Sequence, residues 1–175
     1  MSTCGWPTAR CCLPAAQAPP TRTFTARILR VIDWDTLKVR LAAGTTASVR
    51  PIGIDTPETK KPDTPVECGG PAATARMKKL ALRNGRGLSV TVKSDPTQDR
   101  RDRFGRLLAY VSSASVDFGR TMVLSGWARS YVYEESYERV NTYRSAHSSA
   151  RNTPRGVWRQ LPPSRVARPQ VLCGT

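Results

Sequence analysis

The sequence predicts a mainly β, mixed α+β domain in which five strands close into a barrel and three helices pack around it. Short runs rich in Val, Ile, Thr and Leu recur along the chain between turn residues. Three longer stretches carry helix start and stop signals. The chain has 175 residues, enough for one domain that buries well over half of its unfolded surface.

Residues 24–32, 36–41 and 47–54 are strand-like, and Gly44 marks the turn between the second and third, so together they predict a β-meander. Pro71 opens a helix over 71–83, with Ala75, Met77, Leu80 and Ala81 on its apolar face and Asn84-Gly85 ending it. Strands follow at 88–92 and 107–111. Asp117 can cap a helix over 118–125 that Gly126 stops. A last helix over 137–151 carries Val140, Tyr143 and Ala150 on one side, before Pro154 and Gly156 break it. Five short strands with interleaved helices fit an OB-fold barrel, an architecture that often binds nucleic acid.

The domain is expected over 23–160, flanked by two tails. Residues 1–22 hold four prolines and no acidic residue. Ala16-Gln17-Ala18 looks like a signal-peptidase site, but Pro14 interrupts a short apolar run and Pro19 would follow the cut. A degenerate signal segment and a plain tail both stay open, and with them a secreted or cell-envelope location and a cytoplasmic one. Residues 161–175 form a second Pro/Arg-rich tail.

Twenty-eight Lys and Arg against 13 Asp and Glu give a formal charge of +15. Such a balance favours a polyanionic partner, nucleic acid first. His147 is the single histidine, which excludes a mechanism using two imidazoles and any His-rich metal cluster. Cys4, Cys11, Cys12, Cys68 and Cys173 contain no CxxC pair, a poor zinc pattern. If the N-terminal segment is removed on export, Cys68 and Cys173 remain as an even pair that an oxidising compartment can bridge; in a reducing one they stay thiols. No run approaches the roughly 18 apolar residues of a membrane span. No membrane or protein partner is expected, and a monomer is.

Chemistry therefore has to rest on carboxylates and arginines, and three distant segments supply them. Asp33-Trp34-Asp35-Thr36 joins the first two strands, Arg50 through Asp55-Thr56-Pro57-Glu58 closes the third, and Asp102-Arg103-Phe104-Gly105-Arg106 precedes the fifth. Residues two apart on a strand share a face, which points Asp33 and Asp35 to one side and Trp34 to the other. A hard divalent cation takes several such oxygens, and calcium tolerates irregular geometry best.

In this order, with Gly70-Pro71, Gly126-x-Ala128, Tyr131-Val132-Tyr133 and Gly156-Val157-Trp158 following, the motifs resemble the staphylococcal-nuclease (thermonuclease) family from about Phe24 to Trp158. The resemblance implies a calcium-dependent nuclease that hydrolyses DNA and RNA with little sequence preference and leaves 3′-phosphate ends. It implies Ca²⁺ held by Asp35, Asp55 and the backbone carbonyl of Thr56, with Asp33 behind them. Glu58 matches the general base, and Arg50 and Arg106 match the arginines that grip the phosphate. Arg103, Phe104, Tyr131 and Tyr133 match positions that contact the nucleotide.

The chemistry agrees with this assignment: a carboxylate can take a proton from attacking water, and a guanidinium fork can hold two phosphate oxygens. Three positions depart from the family pattern. Trp34 stands where glycine is usual, Phe104 where tyrosine is, and Gly69 where an aromatic residue often is. The rival expectation is a catalytically weak or inactive nucleic-acid-binding barrel. Such a module is expected to have lost its acids, whereas Asp35, Asp55, Glu58, Arg50 and Arg106 are all present.

Overall fold

The meander forms as its alternation requires. Strands β1 (Thr23–Asp33), β2 (Thr36–Leu41) and β3 (Thr46–Pro51) bury every second residue over much of their length. Ala26, Ile28, Leu37, Val39 and Val49 point inward. The computed structural model describes residues 21–55, 70–133 and 135–160. Thr56, Glu58, Cys68, Gly69, Cys173 and most of both predicted tails lie outside the described residues.

The remaining elements, in chain order, are β4 (Ile54–Asp55), α1 (Gly70–Ala81), β5 (Leu82–Arg83), β6 (Arg86–Gly87), β7 (Ser89–Lys93), β8 (Leu107–Ser113), β9 (Val116–Asp117), α2 (Phe118–Leu124), β10 (Arg129–Ser130), α3 (Val140–Asn152) and a 3-10 turn at Gly156–Gln160. The main sheet runs β3-β2-β1-β7-β8-β9. A parallel pairing of β3 with β8, Arg50 opposite Leu108, closes its first five strands into a barrel. The mixed α+β barrel with three helices is thus the one predicted. No described helix is long and apolar enough to cross a membrane.

Several element details differ from the sequence reading. The third predicted strand is two pieces, β3 and β4, because Ile52-Gly53 turns between them and Gly53 has φ +77°. In α1 the buried face is Gly70, Ala73, Met77 and Ala81, while Ala75 is exposed. A step of two residues turns about 200° around a helix and cannot share a face with Met77. Leu82 and Arg83 leave α1 to form a hairpin with β6, and Asn84-Gly85 is its two-residue turn with φ +50° and +74°. Asn-Gly is the pair such a turn favours. α3 begins at Val140 instead of 137, since Tyr137 is held elsewhere. The Asp117 cap forms as predicted, its side chain accepting from the Arg120 amide.

α3 is pinned to the barrel by a buried polar cluster. Asp95, 3% exposed, accepts hydrogen bonds from the Tyr110 hydroxyl, the Glu138 amide at 2.8 Å, and the Thr97 amide and hydroxyl at 2.9 and 2.7 Å. Arg139 forms an ion pair with Asp117 and lies over the Tyr110 ring at 4.1 Å. Tyr143 donates to Asp117 at 2.9 Å. The two carboxylates thereby fix the approach to α3, the start of α2 and the middle of β8 in one piece.

Candidate active site

The site begins at the hairpin between β1 and β2, where Asp33 pairs with Thr36 and Trp34-Asp35 form the turn. The expected strand alternation therefore does not apply to these acids. The Asp33 carboxylate instead accepts the Asp35 amide at 3.1 Å, an Asx-type turn bond. Trp34 has no positive φ, since Asn84 and Ala114 are the only described non-glycine residues that do. The turn does not need glycine's freedom, and the indole packs into the core with 6% exposure.

Asp35 itself is 3% exposed. Its Oδ2 pairs with Arg50 from β3, its Oδ1 accepts the Thr36 hydroxyl at 2.8 Å, and Arg106 Nη1 stands 3.8 Å from Oδ1. The parallel β3–β8 pairing makes this possible, because it lays Arg50 beside the chain just after Arg106. The loop that carries Arg106 is organised by Asp102. Its carboxylate accepts the Phe104 and Arg106 amides at 3.0 and 2.9 Å and holds Arg106 Nε at 2.7 Å. Arg106 Nη1 also donates to the Thr36 hydroxyl at 2.9 Å. Thr36 and Asp102 are thus site residues to which sequence reasoning gave no role; an adjacent hydroxyl and an acid four residues before an arginine were the available signals.

Asp55 is placed by a second device. β4 pairs with β10, Asp55 opposite Arg129 and Ile54 opposite Ser130, and the Tyr131 amide donates to Gly53 O at 3.0 Å. The Tyr137 hydroxyl donates to the same carbonyl at 3.1 Å and meets Ser130 Oγ at 2.9 Å. A Cβ on Gly53 would overlap the Tyr137 ring. Tyr137 therefore locks the turn that delivers Asp55, a positioning role with no motif to announce it. On the outer side, Tyr131 and Tyr133 are 47% and 71% exposed with ring centroids 6.5 Å apart. Phe104 is 68% exposed, with the guanidinium groups of Arg103 and Arg106 over its ring at 4.8 and 5.3 Å. Exposed rings of this kind can accept the face of any base.

The electrostatics are those of a crowded charge site. Burial, and then the neighbouring Arg106, pull Arg50 below its ordinary pKa, against the opposing pull of Asp55, Asp102 and Asp33. Burial pushes the Asp102 carboxyl up, but the hydrogen bonds and charge of Arg106 outweigh it and hold Asp102 below the usual carboxylate value. Among the described residues no three His, Cys, Asp or Glu side chains form a ready metal cluster. The acids that act on Arg50 or pair with it offer only carboxylate oxygens, the donor type a hard cation takes. His147 makes none of these contacts: it packs in α3 with its ring 5.3 Å from Trp158, and burial, then Arg151 and Arg129, keep its pKa low.

Arg50, Arg106 and Asp35 are therefore brought into contact, Asp33 and Asp55 stand within their field, and Phe104 and Arg103 flank Arg106. Residues 48–160 match the family model described as staphylococcal nuclease homologue. The chain is 37% identical over 130 residues to Endonuclease YncB of Bacillus subtilis, covering 74% of this chain and 59% of that protein. It is 36% identical over 130 residues to the SPbeta prophage-derived endonuclease YokF of the same organism, covering 74% and 42%. With the Thermonuclease of Staphylococcus hyicus it shares 34% identity over 134 residues, 77% of this chain and 75% of that one. The chain thus spans less than two thirds of either Bacillus relative.

Proposed function

Because the chain belongs to the staphylococcal nuclease homologue family, we propose that it is a calcium-dependent nuclease that hydrolyses phosphodiester bonds of DNA and RNA and leaves 3′-phosphate ends. Asp35, Asp55 and the Thr56 carbonyl would hold the metal, with Asp33 steadying the turn behind Asp35. A bound hard cation supplies neutralisation of charge on a nonbridging phosphate oxygen. Arg50 and Arg106 bind the other phosphate oxygens as forked donors while charge builds on phosphorus. Glu58 takes the proton of the attacking water. Arg103, Phe104, Tyr131 and Tyr133 orient the nucleotide by charge and stacking, which tolerates any base.

One observation carries this reading: a nearly buried carboxylate, Asp35, is addressed by guanidinium groups from two other strands' ends. A purely structural ion pair needs one arginine, whereas two guanidinium groups held side by side, each with several N–H donors, can turn donors beyond those their acids take toward a further anion. A phosphodiester is such an anion. The test is cleavage of single-stranded DNA and of RNA with Ca²⁺ and with excess EGTA. Cleavage lost in chelator is expected; undiminished cleavage in EGTA sinks the metal dependence, and binding without any cleavage leaves only a nucleic-acid-binding barrel.

A further inference from the structure

The outer face of the barrel opposes cation to cation. On β1 and β2, Arg27 lies directly opposite Arg40 and Arg30 opposite Lys38. On the adjoining hairpin Arg83 lies opposite Arg86. That hairpin is tied to β1 by the bond from the Ile28 amide to Leu88 O at 2.9 Å. The five arginines are exposed and Lys38 is half-buried. Among the described residues none of the six makes an ion pair with an acid. Directly opposed like charges bring Cβ atoms to about 4.5–5.5 Å and destabilise a sheet. Three such pairs in one neighbourhood are a cost that the fold alone gives no reason to carry.

Among the described residues, the strands of this face carry no acid away from the candidate site. Between Thr23 and Ile54 the only acidic residues are Asp33 and Asp35, both at the candidate active site. The outward row of β3 leads from these cations to that site. Arg40 pairs with Thr46 and Lys38 with Ser48, and Thr46, Ser48 and Arg50 alternate with buried Ala47, Val49 and Pro51 along β3. Arg50 is therefore the last residue of the same outward row. Bulges in β1 at Leu29 and Ile32 twist the strand there and leave both side chains exposed beside the cations.

We propose that the outer face of β1, β2 and the β5–β6 hairpin is a second nucleic-acid-binding surface, which grips the phosphate backbone of a polymer strand on its way to or from the site. A row of fixed cations is relieved of its own repulsion when phosphates replace small counterions, and release of those counterions drives binding. The surface reads charge and not bases. The choice of nucleic acid as the partner rests on the nuclease reading.

The experiment measures binding of fluorescent single-stranded oligonucleotides of 4 and 30 nucleotides in EDTA, where cleavage does not interfere. The full chain is compared with a variant combining Arg27→Gln, Arg30→Gln, Lys38→Gln and Arg40→Gln, and with one combining Arg27→Lys, Arg30→Lys and Arg40→Lys. The glutamine variant is expected to bind the 30-mer roughly 10- to 100-fold more weakly, with a salt slope lower by about 2–3, since a single strand contributes about 0.7 per phosphate contact. Its 4-mer affinity should change much less, and the lysine variant should keep the 30-mer. Equal 30-mer affinity and slope in the glutamine variant overturn the proposal. So does a loss in the lysine variant as large as in the glutamine one, which would trace the effect to structure. Binding that depends on these residues for anionic vesicles and not for the 30-mer also overturns it. The nuclease reading fails separately: a wild-type chain that cleaves neither DNA nor RNA, yet binds the 30-mer through this face, sinks that reading alone.

Discussion

Two clusters in this molecule are built from the same parts, acids, arginines and hydroxyls, and they do opposite things. Around Asp95 and Asp117, nearly every charge has its partner: Tyr110, Thr97 and Glu138 serve one carboxylate, Arg139, Tyr143 and the α2 cap the other. Around Asp35, two arginines share one nearly buried carboxylate, and Asp102 holds the second of them from its other side. The two arginine environments register the difference. Burial lowers Arg139, but Asp117 outweighs it and raises its pKa, whereas burial and Arg106 together leave Arg50 lowered. Residue type thus does not separate structure from function here; whether an arginine is held beside a second cation does.

If that contrast is right, substitutions at the two clusters should fail in different measurements. The largest effect is expected for Glu58→Gln, which removes the proton acceptor: turnover falls about 10²–10⁴-fold while nucleotide affinity barely changes. A binding defect as large as the rate defect would refute that role. Arg50→Lys and Arg106→Lys each lower kcat/KM by about 10²-fold, because lysine keeps the charge and loses the fork, while melting temperature stays near wild type. Near-normal rates in either would show that a point charge is enough.

At the other cluster the pattern inverts. Asp117→Ala removes a helix cap and strands Arg139 and Tyr143, so stability falls by about 2–3 kcal/mol in denaturant unfolding, with activity per folded molecule retained. A variant that melts normally but is inactive would place Asp117 in the wrong category. The smallest effect is on the pH profile. Burial raises Asp95, but its hydrogen bonds from Tyr110, Thr97 and Glu138 outweigh that and hold its pKa below the usual value. The folded state then binds fewer protons than the unfolded one in the carboxylate range, so stability rises with pH there. It is present above the ordinary Asp value and is lost as pH falls through the lowered one. Asp95→Asn should flatten this acid limb of the melting curve; an unchanged limb would assign acid unfolding to other groups.

The five barrel strands were legible because each alternates or is bounded by a turn residue, and Asp117 announced its own cap. The acids and arginines of the site were legible as motifs. Their mutual contact was not, since it depends on the parallel meeting of β3 and β8, and no local pattern encodes a partner that far along the chain. Tyr137 was read as helix because its surroundings are helical; a hydrogen bond to Gly53 O drew it away. The Asp33-Trp34-Asp35 segment reads as the junction of two strands, and what its sequence misstates is the strand-like facing of the two acids, because two-residue spacing is shared by strands and tight turns. Trp34 looked like an intrusion only while its backbone was assumed to need glycine.

The β3–β8 seam also sets when the site can exist. Joining Arg50 to the strand after Arg106 closes a loop that contains β4 to β7 and α1, a contact of high sequence separation that folding chains make late and slowly. No hairpin or helix formed on the way carries both arginines. A nascent or partly opened chain can pair Asp35 with Arg50 beside the β2–β3 hairpin and Asp102 with Arg106 within its loop, but the Asp35–Arg50–Arg106 arrangement appears only when β8 is seated.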